Sequence, residues 1–194
     1  TINSFNWAPD SRYIVYTEPG KEVANIIVYD LQTQTKHRIT DEWYNASAPN
    51  FSKNGEYLVF VSARTFNPTY SSTEWNHVYN NMNKIYILPL AKNAAIPFAP
   101  ENDTPKSPDE GKKDEKKSKT SAKENKIEFN FDNIDNRIIE LPVIPSNYHE
   151  THMIGDNVYY NRGSSTYIYN IKDKKETAIG VNITFGPAYK KAIA

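Results

Sequence analysis

His149-Glu150-Thr151-His152 is the stretch that first invites a chemical reading, because imidazole and carboxylate groups close together can hold a divalent metal. The zinc signature sets two histidines four residues apart on one face of a helix. Here they are three apart in a segment expected to be extended, where alternation points them to opposite faces. Asp132 and Asp135 offer carboxylate oxygens, yet calcium asks for more oxygen ligands at closer alternation. A nucleophilic serine is normally presented on a Gly-x-Ser-x-Gly elbow beside a base; Gly163-Ser164-Ser165-Thr166 lacks the second glycine and reads as a turn. His37 and His77 read as surface or strand-edge residues rather than general bases. There is no phosphate-cradling glycine loop, and with no cysteine the chain is without disulfides, thiol catalysis or cysteinyl metal sites. The expectation is that no catalytic, metal-binding or cofactor-binding residue lies in this chain.

Contact chemistry is better represented. Arg64, Phe66, Tyr70, Trp75 and His77 fall in one insertion, residues 64–83, rich in Asn, Ser and Thr. Aromatic side chains flanked by polar ones on a loop suit contact with a peptide or with a neighbouring domain. A loop of this length also needs aromatic residues to pack on itself, so an elaborated loop folded onto its own sheet is the competing reading. Arg64 and Arg137 each offer a fork for a peptide carboxylate, against the commoner use of arginine in a structural salt bridge.

The elements that position these residues repeat. Phe5 to Tyr16 recurs as Asn50 to Phe60, with Trp7 over Phe51 and Tyr13 over Tyr57 at a spacing of 44 residues. Asn25 to Leu31 and Thr35 to Thr40 recur 140 residues on, as the strand pair around Tyr169 and Ile179. In the second unit the third strand, Lys84 to Leu90, is displaced by 59 instead of 44, which locates the insertion between its second and third strands. Pro187 lies over Pro9, so residues 182–194 read as the start of another unit. Repeats near 44 residues, each a small sheet that buries its faces only against neighbours, indicate propeller blades. The expected fold is all-β: a partial β-propeller of about three four-stranded antiparallel blades plus the start of a fourth. As one domain over 1–194, its units span 4–40, 48–143, 150–180 and 182–194.

Strands are expected near 4–8, 12–17, 25–31, 35–40, 48–52, 56–62, 84–90, 127–131, 137–143, 151–154, 157–161, 166–171, 175–179 and 182–186. Pro9-Asp10-Ser11, Asn54-Gly55, Asp156-Asn157 and Gly163-Ser164 mark turns between them. Residues 101–126 break the pattern, with eight Lys, seven acidic residues and Ala122 as the only apolar side chain besides two prolines. With nothing to bury, this stretch is expected to be a disordered surface excursion within the second unit. Charge balances at 23 basic against 23 acidic residues, so no field recruits nucleic acid, and no apolar run approaches the roughly 20 residues of a membrane helix. The chain opens on Thr1-Ile2-Asn3 without Met, as expected of a cut inside a longer protein.

The strand, Ser-Pro-Asp-Gly-like turn and strand at the opening resemble the propeller repeat shared by the TolB, tricorn and prolyl-oligopeptidase groups. Residues 50–150 resemble something narrower. Leu58 to Tyr70, Glu74-Trp75-Asn76-His77, Lys84 to Lys92, Pro97 to Asp103, Phe129 to Arg137 and Glu140-Leu141-Pro142-Val143 are similar to the propeller region of bacterial tricorn-like proteases. There a phrase of the form Asp-Phe-Asp-Gly-Ile-Glu-Asp-Arg precedes Leu-Pro-Val after a charged insertion. Asn133 stands in the place of its Gly and Asn130 in the place of its first Asp. The resemblance implies a large serine protease with two propellers, a PDZ-like module and a core related to C-terminal processing peptidases. Its catalytic Ser and His would lie outside this chain, and the propeller would filter or channel peptides and unfolded proteins toward that core. It also implies an extracytoplasmic, periplasmic setting and, as partners, the remaining blades and catalytic domain, with a homo-oligomer open. The competing readings are a TolB-like interaction propeller without a protease and the lid propeller of a prolyl-oligopeptidase-type enzyme.

Overall fold

Runs of Val, Ile, Leu and Tyr separated by turn formers become strands throughout. The computed structural model describes residues 2–70, 77–98 and 126–185. The first blade consists of β1 (Asn3–Trp7), β2 (Tyr13–Pro19), β3 (Ala24–Asp30) and β4 (Thr35–Arg38), paired in that order. The second begins with β5 (Ala46–Phe51) and β6 (Tyr57–Ser62), continues past a small ribbon of β7 (Pro68–Tyr70) and β8 (His77–Tyr79), and resumes with β9 (Lys84–Pro89) and β10 (Ile139–Glu140). Its spatial order is β5-β6-β9-β10. The third blade is β11 (Tyr148–Ile154), β12 (Asn157–Arg162), β13 (Ser165–Asn170) and β14 (Lys175–Ala178), also in sequence order. All pairings are antiparallel.

The spacing seen in the sequence is kept atom by atom. The bond from Ala8 N to Tyr13 O, 2.9 Å, returns 44 residues later from Ser52 N to Tyr57 O, 2.8 Å. The pairing of Tyr29 with Lys36 returns 140 residues later as Tyr169 with Glu176. Ser11 and Gly55 occupy the same place in the first turn of their blades, with φ of 60° and 73°; the third blade makes a shorter first turn, Ile154 pairing with Asn157 around Gly155 at φ 58°. The first strand of each blade also carries the same bulge: Ser4, Ala48 and Glu150 are the extra residues, at φ 46°, 50° and 51°. These first strands pack on one another, β1 on β5 and β5 on β11, whereas β4, β10 and β14 stand at the outside.

Alternation makes the middle blade two-faced. Leu58, Phe60, Tyr86 and Leu88 point toward the first blade and join Tyr13, Val15, Ile26, Val28 and Ile39 in one core. Val59, Val61, Ile85 and Ile87 point the other way and meet Tyr148, Met153, Val158, Tyr160 and Tyr169 of the third. A strand covered on both sides must be apolar at every position, which explains the unbroken run Tyr57 to Val61.

Three expected strands differ in the structure. Residues 127–131 form no strand; they cross to the first blade, where Ile127 N donates to Asp10 Oδ2 at 3.0 Å. Phe129 and Phe131 stack at 4.3 Å, Phe131 lies on His37 at 3.7 Å, and Tyr13 tilts against Phe129 at 5.5 Å. Aromatic stacking across two blades outcompetes pairing along one. Within 137–143 only Ile139–Glu140 pairs with β9, after a 3-10 turn over Ile134–Arg137. Arg137 covers the rest of that edge, its guanidinium donating to the carbonyls of Pro89, Leu90 and Asn130. The described part of 182–186 is irregular, and residues 101–125, like 186–194, lie outside the described residues. Asn133, at the place of the family's glycine, adopts φ 48°, ψ 41°, a left-handed conformation that Asn tolerates better than most residues.

Candidate functional site

The residues expected to make contacts gather at one end of the middle blade. β6 ends at Ser62, and the chain leaves the sheet through Ala63, whose N–H bonds Asn45 O at 2.9 Å. Arg64 then turns back into the body. Its Nη2 lies 3.5 Å from Asp41 Oδ2, and its guanidinium sits 5.7 Å from the ring of Tyr44 and 5.9 Å from that of Tyr86. Nε and Nη2 are buried and have no hydrogen-bond partner among the described residues. The ion pair therefore ties the middle blade to the connection from the first, with no fork open to a ligand carboxylate. The Tyr86 hydroxyl sits near Thr65 Oγ1 (3.4 Å) and Glu140 Oε2 (3.3 Å), and burial pushes its pKa up.

Beyond Arg64 the insertion is not a plain loop. Thr65 N bonds Met82 O at 3.3 Å, closing its base, and β7 pairs with β8 to form a two-stranded ribbon. Phe66 and Tyr70 are each 76% exposed. His77 contributes its backbone to β8, opposite Tyr70, and Trp75 lies outside the described residues. Two three-residue strands, one of them opening on Pro68, carry too little alternation to be read from sequence.

Sequence reasoning passed over what stands beside them. Asn45, Ala63, Asn80, Asn81, Met82, Asn83 and Asn147 line an open cleft of about 580 Å³. Asn83 Nδ2 reaches Asn147 Oδ1 at 3.4 Å, and Asn45 Oδ1 accepts from Ala24 N at 3.0 Å. Trp43, two residues before Asn45, is 82% exposed. The Asn-Asn-Met-Asn run at 80–83 was a visible signal, but Asn147 reaches the cleft only through the fold.

The acid-base and metal candidates are dispersed. The bulge at Glu150 alters the expectation for the two histidines: His149 pairs with Asn161 and His152 with Tyr159, two apart on β12, so both lie on one face. One extra residue converts a spacing of three into an effective two. His152 packs against Phe185 at 4.4 Å and has Glu150 Oε2 at 3.5 Å; burial lowers its pKa, with Glu150 opposing. Asp132 takes part in a turn with Asn130 Oδ1, and Asp135 opens the 3-10 turn. Gly163, at φ 60°, leads the turn into β13. Among the described residues no group of three His, Cys, Asp or Glu side chains is placed to hold a metal. Among the described residues Arg137 makes no salt bridge; its partners there are main-chain carbonyls, and burial lowers its pKa against the pull of Asp132.

A polar network within the third blade is structural. Arg162 forks onto Glu176 at 2.8 and 3.0 Å and lies 3.9 Å over the ring of Tyr167. The hydroxyl of fully buried Tyr160 donates to the same carboxylate, and burial, then Glu176, raises its pKa. It locks β12 to β13 and β14 from within the sheet.

Comparison with known proteins follows this architecture. The chain is 28% identical over 103 residues to the tricorn protease of Thermoplasma volcanium, covering 50% of this chain and 10% of that protein. It is 27% identical over 101 residues to tricorn protease homolog 1 of Streptomyces coelicolor, covering 49% and 9%. Its alignments thus span about a tenth of the curated relatives' length. The crystal structure of the tricorn protease superposes over 95% of this chain and 19% of its own, with a TM-score of 0.67 at 20% identity. TolB from Acinetobacter baumannii superposes over 91% and 31%, with a TM-score of 0.51 at 17% identity, a likeness of fold. The family model of the tricorn protease second β-propeller domain matches residues 1–184, and the chain belongs to that family.

Proposed function

We propose that this chain is a non-catalytic propeller section of a tricorn-like serine protease, admitting extended polypeptides toward a catalytic core elsewhere in the parent protein. The observation that carries the reading is the match of residues 1–184 to the second propeller of that family. Its physical basis is the packing of β1, β5 and β11 side by side at the inner edge of three blades, where a closed propeller has its axis. The remaining blades and the core are the partners in this reading, and the setting is extracytoplasmic, testable by fractionating cells that express the full-length protein.

Admission predicts dependence on substrate length. His149 is exposed on the inner strand β11, and the chain has no native cysteine, so His149→Cys provides one attachment point within it. In the full-length protein, a bulky maleimide polymer at that position is expected to slow cleavage of an unfolded polypeptide several-fold. Cleavage of a short fluorogenic peptide should stay within about twofold, since it needs no threading. Equal slowing of both substrates, or of neither, rejects the role in admission.

A further inference from the structure

We infer that the asparagine-lined cleft at the end of the middle blade binds the main chain of an extended polypeptide, with the neighbouring aromatic residues receiving its side chains. This rests on the reading of the parent as a peptide-handling protease, and it assigns that handling to residues.

The argument starts from the chemistry of a carboxamide. A carboxamide carries an acceptor oxygen and two N–H donors, matching the alternating C=O and N–H groups of an extended peptide without regard to sequence. With Asn83 Nδ2 on Asn147 Oδ1 and Asn45 Oδ1 accepting from Ala24 N, a ligand meets Asn80, Asn81 and the remaining capacity of Asn45, Asn83 and Asn147. Around the cleft of about 580 Å³ such groups come from three separate segments: Asn45 before β5, Asn80, Asn81 and Asn83 before β9, and Asn147 before β11. Asn45, Asn80, Asn81 and Asn147 are exposed and Asn83 is half-buried. Asn81 is held at φ 52°, a left-handed conformation that fixes the bend of the chain at the rim.

The lining is nearly uncharged, so an ionic ligand gains little there. Arg64, the nearest guanidinium in sequence, is turned away into its ion pair with Asp41. Aromatic residues complete the picture. Trp43 at 82% exposed and Phe66 and Tyr70 at 76% each lie on the two segments that flank Asn45 and Ala63 of the lining. Large rings beside hydrogen-bonding groups are how sequence-tolerant peptide sites combine affinity with breadth. A peptide satisfies both halves of the surface: main chain on the amides, side chains on the rings.

The test uses the full-length protein and a labelled, unstructured twelve-residue peptide of mixed sequence, with binding read by fluorescence anisotropy. The variant Asn80→Ala/Asn81→Gly/Asn147→Ala alters exposed side chains and keeps the left-handed residue accommodated, so the fold is retained; circular dichroism checks this. Binding is expected to weaken about tenfold or more in this variant, and Asn81→Asp alone should weaken it about threefold. Replacing alternate amides of the peptide by esters should weaken binding to the unaltered protein comparably, whereas scrambling the sequence should change it by less than threefold. Unchanged affinity in the triple variant, tight binding of the ester peptide, or binding of a neutral oligosaccharide in preference to the peptide overturns the inference. Length-dependent cleavage that survives in the triple variant likewise removes the cleft while leaving the admission role standing. Loss of that length dependence, with peptide still bound through the amides, removes the admission role and leaves the cleft.

Discussion

Asp30 joins a turn, a strand pair and a charge. Its Oδ1 accepts from Gln32 N at 2.8 Å and Thr33 N at 3.3 Å, holding the turn into β4, while Arg12 forks onto both oxygens at 3.2 and 2.6 Å. The Arg12 guanidinium holds the carboxyl at a pKa of about 2, below the 3.8 of a free side chain. A carboxyl depressed by folding stabilises above its unfolded pKa, and that stability fades as pH falls from about 4 toward about 2. The shift corresponds to about 1–2 kcal/mol, discounted because Arg12 keeps part of its hydration. Urea midpoints of the chain and of Asp30→Asn should therefore differ near neutrality and converge between pH 4 and 2; a constant gap contradicts the assignment. The turn was legible in sequence because Asp30 recurs as Asn170, whose Oδ1 accepts from Asp173 N at 2.8 Å. The charge pair was not, because Arg12 has Glu56 as its counterpart 44 residues on.

At the scale of elements, bulges distinguish the inner strands from the others. Ala48 sits at φ 50°, where an L-residue with a Cβ is strained by about 1 kcal/mol and glycine is not. Ala48→Gly is therefore expected to hold stability level or raise it by about 0.5–1 kcal/mol, whereas glycine ordinarily lowers the stability of a strand. Thermal denaturation checks the sign, and a loss above about 1 kcal/mol removes the strain argument. The repeats made these strands readable, since Trp7 and Phe51 or Tyr13 and Tyr57 fall in step. Bulges left no mark: Ser4, Ala48 and Glu150 share a backbone conformation and no chemistry. The segment 127–131 misled for a related reason, because alternating apolar residues that look like a strand instead stack Phe129 on Phe131 and Phe131 on His37. The contact candidates followed the same division: the exposure of Phe66 was readable from its polar surroundings, whereas the amide cleft needed Asn147, more than sixty residues after Asn83, brought beside it by β11.

For the whole molecule, equivalent positions with different neighbours show what a blade owes to the one beside it. Phe51, covered by the first blade, is 7% exposed; Trp7, its counterpart 44 residues earlier, is 52% exposed, and Phe5 beside it 67%. Sheet faces of this kind associate when nothing covers them. The 194-residue chain alone is accordingly expected to self-associate with rising concentration in sedimentation, and Phe5→Ser/Trp7→Ser to shift it toward monomer. A cooperative, concentration-independent melt of a monomeric chain argues against this. The middle blade is joined to the third by more than apolar contact, since Lys53 N donates to Met153 O at 3.0 Å and Asn50 Nδ2 to Thr151 O at 2.9 Å. The Lys53 amide lies in an otherwise solvent-side turn, so its protection against deuterium depends on a carbonyl that belongs to another sheet. Its exchange rate is a built-in gauge of how often the two leaflets part, readable at a single peptide without an attached dye or a substrate.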